Sequence, residues 1–202
     1  MVKKYLWVLL LIPSLLFVGC AKPPEQEKAQ AEEAMQAANA VQSDIYAPTE
    51  HGMAQEALSK AQAAVETQNA KFVLFRSYGE AKQLYASAME QSNAAKEAAV
   101  ANKEAVKKEA MTLIEEAKTA VADAAKAMKS APRGKDTKAE LDAMNADLQS
   151  LQSMLPELDG AMSSENFMDA KNRSMSVKEK AIGISSQVQA AKEKMGARKK
   201  KK

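Results

Sequence analysis

Apolar residues recur every three or four positions along most of the chain, which is the spacing of one face of an α-helix. The pattern predicts five helices. The first runs from about residue 25 to 45, and Ala-Pro at 47 and 48 ends it. Its apolar positions are Ala31, Ala34, Ala38, Val41 and Ile45. Thr49 is predicted to cap a second helix that ends near residue 69. Its apolar positions are Met53, Ala57, Leu58, Ala61, Ala64 and Val65.

The third predicted helix is unusually long. Nothing in the sequence stops a helix between residue 72 and about residue 129, where Ser130-Ala131-Pro132-Arg133-Gly134 ends it. At about 1.5 Å per residue, such a helix reaches roughly 87 Å.

The fourth helix has the most regular apolar seam. Thr137 and Glu140 form a capping box at its start, and Pro156 is expected to end or kink it before a turn at residues 159 and 160. The seam consists of Leu141, Met144, Leu148, Leu151, Leu155 and Leu158. Ser164 is predicted to cap a fifth helix that Gly196 closes. Its seam is Phe167, Ala170, Ser174, Val177, Ala181, Ile184, Val188, Ala191 and Met195.

An internal repeat groups these helices into two units. Ala47-Pro48 recurs as Ala131-Pro132, and the segment that starts at Tyr78 recurs at Phe167. The predicted fold is therefore all-α, with elongated tandem three-helix bundles of the spectrin-like kind that share one long central helix. The predicted domains are a signal at 1–19, a spacer at 20–30, an Ala-rich bundle at 31–102, a Leu/Met-seamed bundle at 103–196 and a basic tail at 197–202. Leucine removes more apolar area from water than alanine, so we expect the second bundle to be the more stable.

The N-terminal segment is typical of an export signal. Lys3 and Lys4 precede an apolar stretch from residue 5 to 18, and Gly19 stands before Cys20, the only cysteine. The apolar stretch is shorter than the roughly 20 residues of a spanning helix. The segment from 16 to 20 resembles the lipobox of bacterial lipoproteins, with Phe17 where that family usually has leucine. This resemblance implies cleavage before Cys20, acyl chains on Cys20 that bind the membrane and, with Ala21 next, export to the outer membrane, facing the periplasm.

Charge separates the C-terminus from the body of the chain. Of 29 basic and 26 acidic residues, two basic residues lie in the signal and five in the tail, so the body between them is acidic. The tail is Arg198, Lys199, Lys200, Lys201 and Lys202. It is either a solvated end or a contact for an anionic envelope component such as peptidoglycan or an acidic partner. Export argues against a nucleic acid.

Two resemblances bear on the body of the chain. A lipid anchor, an Ala-rich heptad rod and the terminal lysine are similar to the major murein lipoprotein, which implies covalent attachment of Lys202 to peptidoglycan as a minority hypothesis. Residues 28 to 100, through Ala47-Pro48, Leu58, Ala61 and the segment around Ala81, look more like helical envelope lipoproteins with an uncharacterised domain. That second resemblance implies no activity.

The sequence offers few parts for catalysis. It has a single histidine, His51, which is expected to be exposed, and no Gly-rich phosphate loop or nucleophile elbow. The scattered methionines favour core filling over copper binding. We therefore expect no enzyme activity, no metal and no cofactor.

Two further stretches carry alternatives. The aromatic residues around the first bundle form either its core and end cap or, if several are exposed together, a groove for a partner. They are Tyr46, Phe72, Phe75, Tyr78 and Tyr85. Residues 96 to 108 are predicted to be a solvated connecting stretch, or the place where a second copy packs into a homo-oligomer. The favoured function is a non-enzymatic envelope spacer or adaptor, and the alternative is a periplasmic binding or chaperone-like module for a lipid, amphiphile or protein.

Overall fold

The computed structural model describes residues 22 to 133 and 137 to 200, with side chains as far as residue 196. Within these ranges the chain forms six α-helices, one 3-10 helix and no strand, which confirms the all-α prediction. The helices are α1 (Glu25–Ala40), α2 (Ser43–Tyr46), α3 (Pro48–Asn69), α4 (Gly79–Lys129), α5 (Lys138–Ser163) and α6 (Phe167–Lys200), and the 3-10 helix is Val73–Phe75.

The first predicted helix is divided into α1 and α2. Gln42 adopts a left-handed conformation with φ of 60°, which ends the helical ladder before the predicted limit. As a result Ile45 leaves the seam and is 43% exposed. The predicted cap at Thr49 is also wrong, because Ala47 is the N-cap of α3 and Pro48 occupies its first turn. Proline suits that position, where its missing N–H would have no helical partner.

The long third helix is confirmed as α4, although it begins at Gly79 rather than at residue 72. Residues 72 to 78 form a loop around the 3-10 helix, since Phe72 and Arg76 both take extended ψ values of 140° and 135°. Sequence periodicity did not reveal this loop because no glycine or proline marks its beginning. At the other end of α4, the hydroxyl of Ser130 donates to the carbonyl of Ala127 at 2.9 Å.

Helix α5 passes through Pro156, so the predicted end or turn at residues 159 and 160 is wrong. Pro156 lies on the exposed side of α5, and the helix continues to Ser163. Ser164 is the C-cap of α5 and not the N-cap of α6, because the following Glu165 takes a left-handed φ of 57°. Left-handed residues commonly end helices in this way.

Two further boundary predictions are corrected. Thr137 is the N-cap residue of α5, but its side chain makes no cap hydrogen bond and its hydroxyl instead donates to the carbonyl of Pro132 at 3.1 Å. The predicted capping box with Glu140 is therefore absent. Gly196 does not close the last helix, since α6 continues to Lys200.

The chain divides into two compact units between Val100 and Ala101. Unit 1 contains α1, α2, α3 and the part of α4 up to Val100. Unit 2 contains the rest of α4 together with α5 and α6. Each unit has its own apolar core.

Small side chains build the core of unit 1. One buried cluster joins α1, α3 and α4, and Tyr85 is its only large member. The cluster contains Ala31, Ala57, Ala61, Tyr85 and Ala88. Alanine lets helix backbones approach closely, and its high helix propensity offsets part of the small apolar area that it buries. Met53, predicted to belong to this core, is 52% exposed.

Larger side chains build the core of unit 2, as the leucine seam predicts. The main cluster is Ala117, Val121 and Ala124 of α4, Leu148 and Leu151 of α5, and Val177, Ala181 and Ile184 of α6. Leu158 is also fully buried. Each fully buried leucine side chain stabilises a fold by about 2 to 3 kcal/mol relative to an exposed one.

Burial within each unit agrees with the predicted repeat. The segments that begin at Tyr78 and Phe167 are 89 positions apart in the sequence. The same offset relates the next six buried positions of α4 to buried positions of α6. The buried residues are Tyr78, Ala81, Tyr85, Ala88, Ser92, Ala95 and Ala99 in unit 1, and Phe167, Ala170, Ser174, Val177, Ala181, Ile184 and Val188 in unit 2.

Candidate functional site

The predicted site residues lie at the two ends of the chain. Cys20, Lys201 and Lys202 fall outside the described residues, and so do the side chains of Arg198, Lys199 and Lys200. Their assignments stay predictions. The structure does describe the segments that lead to them.

The N-terminal segment enters unit 1 beside the start of α4. Lys22 is exposed, and Pro24 is buried against the bundle. In the next turn, a carboxylate oxygen of Glu27 lies 2.7 Å from Nζ of Lys82 in the first turn of α4. This pairing, mainly through the hydrogen bond, lowers the pKa of Glu27 below its usual value. The first turn of α1 is therefore held at the end of unit 1 where α4 begins.

The last described turns of α6 lie beside the end of α4 in unit 2. Nζ of Lys192 donates to the hydroxyl of Ser130 at 2.8 Å, just after the last residue of α4. Residues 193 and 194 are exposed. The basic tail is the direct continuation of this part of α6.

The aromatic residues of unit 1 divide into a buried and an exposed set. Tyr46, Tyr78 and Tyr85 are buried, which confirms their core assignment. Burial raises the pKa of Tyr85, and the nearby carboxylates of Glu32 and Glu25 raise it further. Phe72 and Phe75, by contrast, are 66% and 75% exposed, so their assignment to the core or its end cap is wrong.

The exposed pair belongs to a loop of four apolar residues, 72 to 75, which we call the apolar loop. Its members are Phe72, Val73, Leu74 and Phe75, and all four are exposed. The two phenylalanine rings lie 6.2 Å apart between centroids. The signal in the sequence was this run of four apolar residues, which breaks the helical period at the start of the predicted third helix.

Polar side chains fix the apolar loop to the bundle. The guanidinium of Arg76 donates from Nε to the carbonyl of Lys71 at 2.9 Å and from Nη2 to the carbonyl of Asn69 at 2.8 Å. The hydroxyl of Tyr78 donates to Oδ1 of Asn69 at 2.5 Å. The polar groups of this segment therefore turn towards the protein while its apolar side chains face outward.

His51 is not exposed as predicted. It is half-buried in the first turns of α3, and its Nδ1 lies 2.8 Å from the hydroxyl of Ser43, which is fully buried. This hydrogen bond links α2 to α3 at the end of unit 1 opposite the apolar loop.

Most side chains between residues 96 and 108 are exposed, as expected of a solvated connecting stretch, although Ala99 and Val106 are buried and two lysines make specific contacts. Val106 is buried, and Lys103 forms an ion pair with Glu165 at 2.9 Å that lowers the pKa of that carboxyl. Nζ of Lys103 and Nζ of Lys107 lie 5.6 and 5.5 Å from the centroid of the Phe167 ring. Such distances allow cation–π attraction. This part of α4 thus closes the turn between α5 and α6.

Unit 2 carries a surface groove of about 1170 Å³ that sequence analysis did not find. The apolar side chains along it are Met111, Ile114, Ala120, Met162 and Ile182. Met111 and Ile182 are 54% and 49% exposed. Both lie off the helical seams of α4 and α6. Apolar residues outside the seams were therefore the feature of the sequence that could have indicated the groove. Charged side chains line the groove as well, including Lys178, whose Nζ lies 2.7 Å from Glu116.

The described residues offer neither a cluster of metal ligands nor a membrane-spanning helix. Among residues 22 to 133 and 137 to 196, no group of three or more His, Cys, Asp and Glu side chains could hold a metal ion. None of the described helices combines the length and apolar character needed to cross a bilayer.

Comparisons of the chain with protein-family models, with curated proteins and with solved structures found no match.

Proposed function

We propose that the chain is a non-enzymatic, lipid-anchored protein of the bacterial cell envelope. Acyl chains on Cys20 would hold it at the outer membrane, facing the periplasm, and its basic tail would contact peptidoglycan or another anionic envelope component. The observation that carries the proposal is the segment from 16 to 20, which follows a charged start and an apolar stretch and ends on the only cysteine. Two lipid groups on one cysteine give stable attachment, whereas a single acyl chain binds only reversibly.

The role that we propose is a spacer or adaptor. In its finer form, the proposal is that the two units stack in tandem, as in spectrin-like rods, and that the tail lies on the order of 80 to 90 Å from the lipid, at about 1.5 Å of helix per residue. The support is that α4 is a single helix from Gly79 to Lys129 and contributes to the cores of both units. Small-angle scattering of the chain from residue 22 onward measures its longest dimension, and a value typical of a compact globule would contradict the spacer role.

Binding to isolated sacculi tests the role of the tail. The full mature chain should sediment with peptidoglycan at low salt, and a variant with Gln at the five tail positions should not, because neutral side chains attract no anions. A variant with Gln at five exposed lysines of unit 2 is a matched control for lost charge and should still bind. The control lysines are Lys108, Lys126, Lys129, Lys138 and Lys180. Equal binding of the tail variant and the unchanged chain would refute a tail contact.

The groove of unit 2 favours a second candidate function, the binding of an amphiphile. Its apolar side chains would accept an acyl or aromatic tail, and its charged rim would remain in water. The fluorescence of N-phenylnaphthylamine should rise on addition of the chain. The rise should fall in a variant with Met111→Ser and Ile182→Ser but not in Met175→Ser, which is 43% exposed and does not line the groove. The same rise in all three proteins would exclude the groove as the binding site.

A further inference from the structure

We propose that the apolar loop of unit 1 inserts into the lipid bilayer to which the chain is tethered. The inference deepens the proposed function, on which it rests for the identity of the membrane. Its first support is exposure: the four side chains of residues 72 to 75 are 66%, 39%, 59% and 75% exposed. A contiguous apolar patch of this kind on a protein surface marks an interaction site.

The second support is the way in which the loop is built. Arg76 and Tyr78 bind the carbonyls and the side-chain amide of neighbouring residues, as described above, and these bonds hold the loop in its outward-facing conformation. Phe75 N–H donates to the carbonyl of Phe72 at 2.9 Å and closes the 3-10 turn. This bond satisfies one N–H and one carbonyl of the loop, which lowers the cost of placing the turn in a membrane interface.

Charge complementarity points to a bilayer as the occupant. Lys71 and Arg76 flank the four apolar residues, and no acidic residue occurs between Asn69 and Glu80. Apolar side chains with lysine or arginine at their border are the arrangement of segments that lie in a membrane interface, where the cations meet anionic headgroups. Glu25 and Glu66 line the cavity next to Asn69 at this end of unit 1, so the positive border consists of the two residues directly beside the loop.

The position of the N-terminus provides an independent argument. A small cavity of about 270 Å³ is lined by both Pro24, before α1, and Asn69, the last residue of α3. Pro24 is therefore at the end of unit 1 that carries the apolar loop. Cys20 precedes Lys22 by two residues, which span at most about 7 Å. A lipid anchor at Cys20 would accordingly bring the loop to the surface of the same membrane.

A tryptophan placed in the loop tests the insertion directly. The native tryptophan, Trp7, is replaced by phenylalanine, so that a new tryptophan is the only one. The full chain with Phe75→Trp is purified from bacterial membranes and reconstituted into vesicles that contain brominated phospholipid. We expect quenching and a blue shift of its emission. The matched control is Ile45→Trp in α2, which is 43% exposed and lies at the end of unit 1 opposite the apolar loop, beyond α1, whose length is about 24 Å at 1.5 Å per residue.

The two outcomes decide the matter. Quenching at position 75 that exceeds quenching at position 45 supports insertion. Equal quenching at the two positions overturns the insertion of the loop. If mass spectrometry then shows lipid on Cys20, the lipid anchor is retained and only the proposed insertion is refuted. A chain without lipid on Cys20 refutes the anchor instead.

A second experiment removes the dependence on the anchor. The chain from Lys22 onward keeps all six described helices and both cores, and its far-UV circular dichroism reports whether it stays helical. It should sediment with vesicles that contain phosphatidylglycerol. A variant with Phe72→Ser, Leu74→Ser and Phe75→Ser should lose about tenfold or more in partitioning, whereas the control with Ile45→Ser and Met53→Ser should not.

Failure of the loop variant to weaken vesicle binding would overturn the inference. So would loop-dependent dimerisation without vesicle binding, because the apolar loop would then pack against a second copy of the chain. Weaker binding to vesicles of phosphatidylcholine alone is expected, since the flanking cations lose their anionic partners.

Discussion

The fully buried Leu158 of α5 provides the sharpest test of how unit 2 is stabilised. Leu158→Ala removes three carbon atoms from a side chain with no exposed surface. At about 0.8 kcal/mol per methylene, the transfer free energy alone amounts to about 2.4 kcal/mol. The cavity left behind adds to this, and leucine-to-alanine changes in protein cores cost 2 to 5 kcal/mol. We expect a loss of about 3 kcal/mol in the free energy of unfolding of unit 2.

Urea unfolding can measure this loss for unit 2 separately. Every tyrosine after the predicted signal lies in unit 1, at positions 46, 78 and 85, so tyrosine fluorescence reports unit 1 while far-UV circular dichroism reports both units. The part of the dichroism change that tyrosine fluorescence does not follow reports the unfolding of unit 2. At a slope of about 2 kcal/mol per molar urea, the midpoint of that transition should fall by about 1.5 M urea. Ile182→Ala, 49% exposed on α6, is the control and should shift it little. Equal shifts in the two variants would refute the core assignment.

Three further predictions concern unit 1. Ala88→Leu should destabilise it by about 1 to 3 kcal/mol, because the site has no exposed surface and no room for a larger side chain, whereas the exposed Ala94→Leu should not; tyrosine fluorescence in urea compares them. The hydrogen bond from Lys82 is the main cause of the lowered pKa of Glu27. The stability that the charged carboxylate contributes is therefore present above its ordinary pKa of 4.5 and is lost as the pH falls through the lowered value. NMR titration should show the pKa of Glu27 rising in Lys82→Met, and an unchanged pKa would contradict the pairing. Burial, as the main cause, raises the pKa of Tyr85 above its ordinary value of 10.0, so the stability that the neutral phenol contributes is present below pH 10.0 and is lost as the pH rises through the higher value; phenolate absorbance of the chain from residue 22 with Tyr46→Phe and Tyr78→Phe should show Tyr85 ionising above that ordinary value, and ionisation at the ordinary value would contradict its burial.

The helices were predictable from the sequence because the heptad spacing of apolar residues indicates which face of each helix is buried. The fourth predicted helix illustrates this, since Leu148, Leu151 and Leu158 are all buried. Its end was not predictable, because Pro156 stands on the exposed side of α5, where the helix continues past it. A proline is compatible with a helix when the surrounding packing compensates for its lost hydrogen bond.

The loop before α4 shows a different limit of sequence reasoning. Residues 72 to 78 contain no glycine or proline, so nothing in the sequence stops a helix there, but only Leu74 and Arg76 among them are strong helix formers. What decides the conformation is a set of side-chain bonds to the end of α3, above all those of Arg76 to Asn69 and Lys71. These bonds join residues close together in the chain, but the spacing of apolar residues gives no information about bonds from a side chain to a backbone carbonyl. The groove of unit 2 was not predictable for a different reason, because its walls come from three separate helices, α4, α5 and α6.

The proposed membrane attachment requires that Cys20 is processed and carries lipid. Mass spectrometry of the N-terminal peptide of the protein, isolated from bacterial membranes, measures both. We expect a peptide that begins at Cys20 and carries the added mass of a diacylglyceryl group and an acyl chain, and we expect Cys20→Ser to abolish this product. A peptide that begins at Met1, or one with an unmodified Cys20 thiol, would refute the lipid anchor.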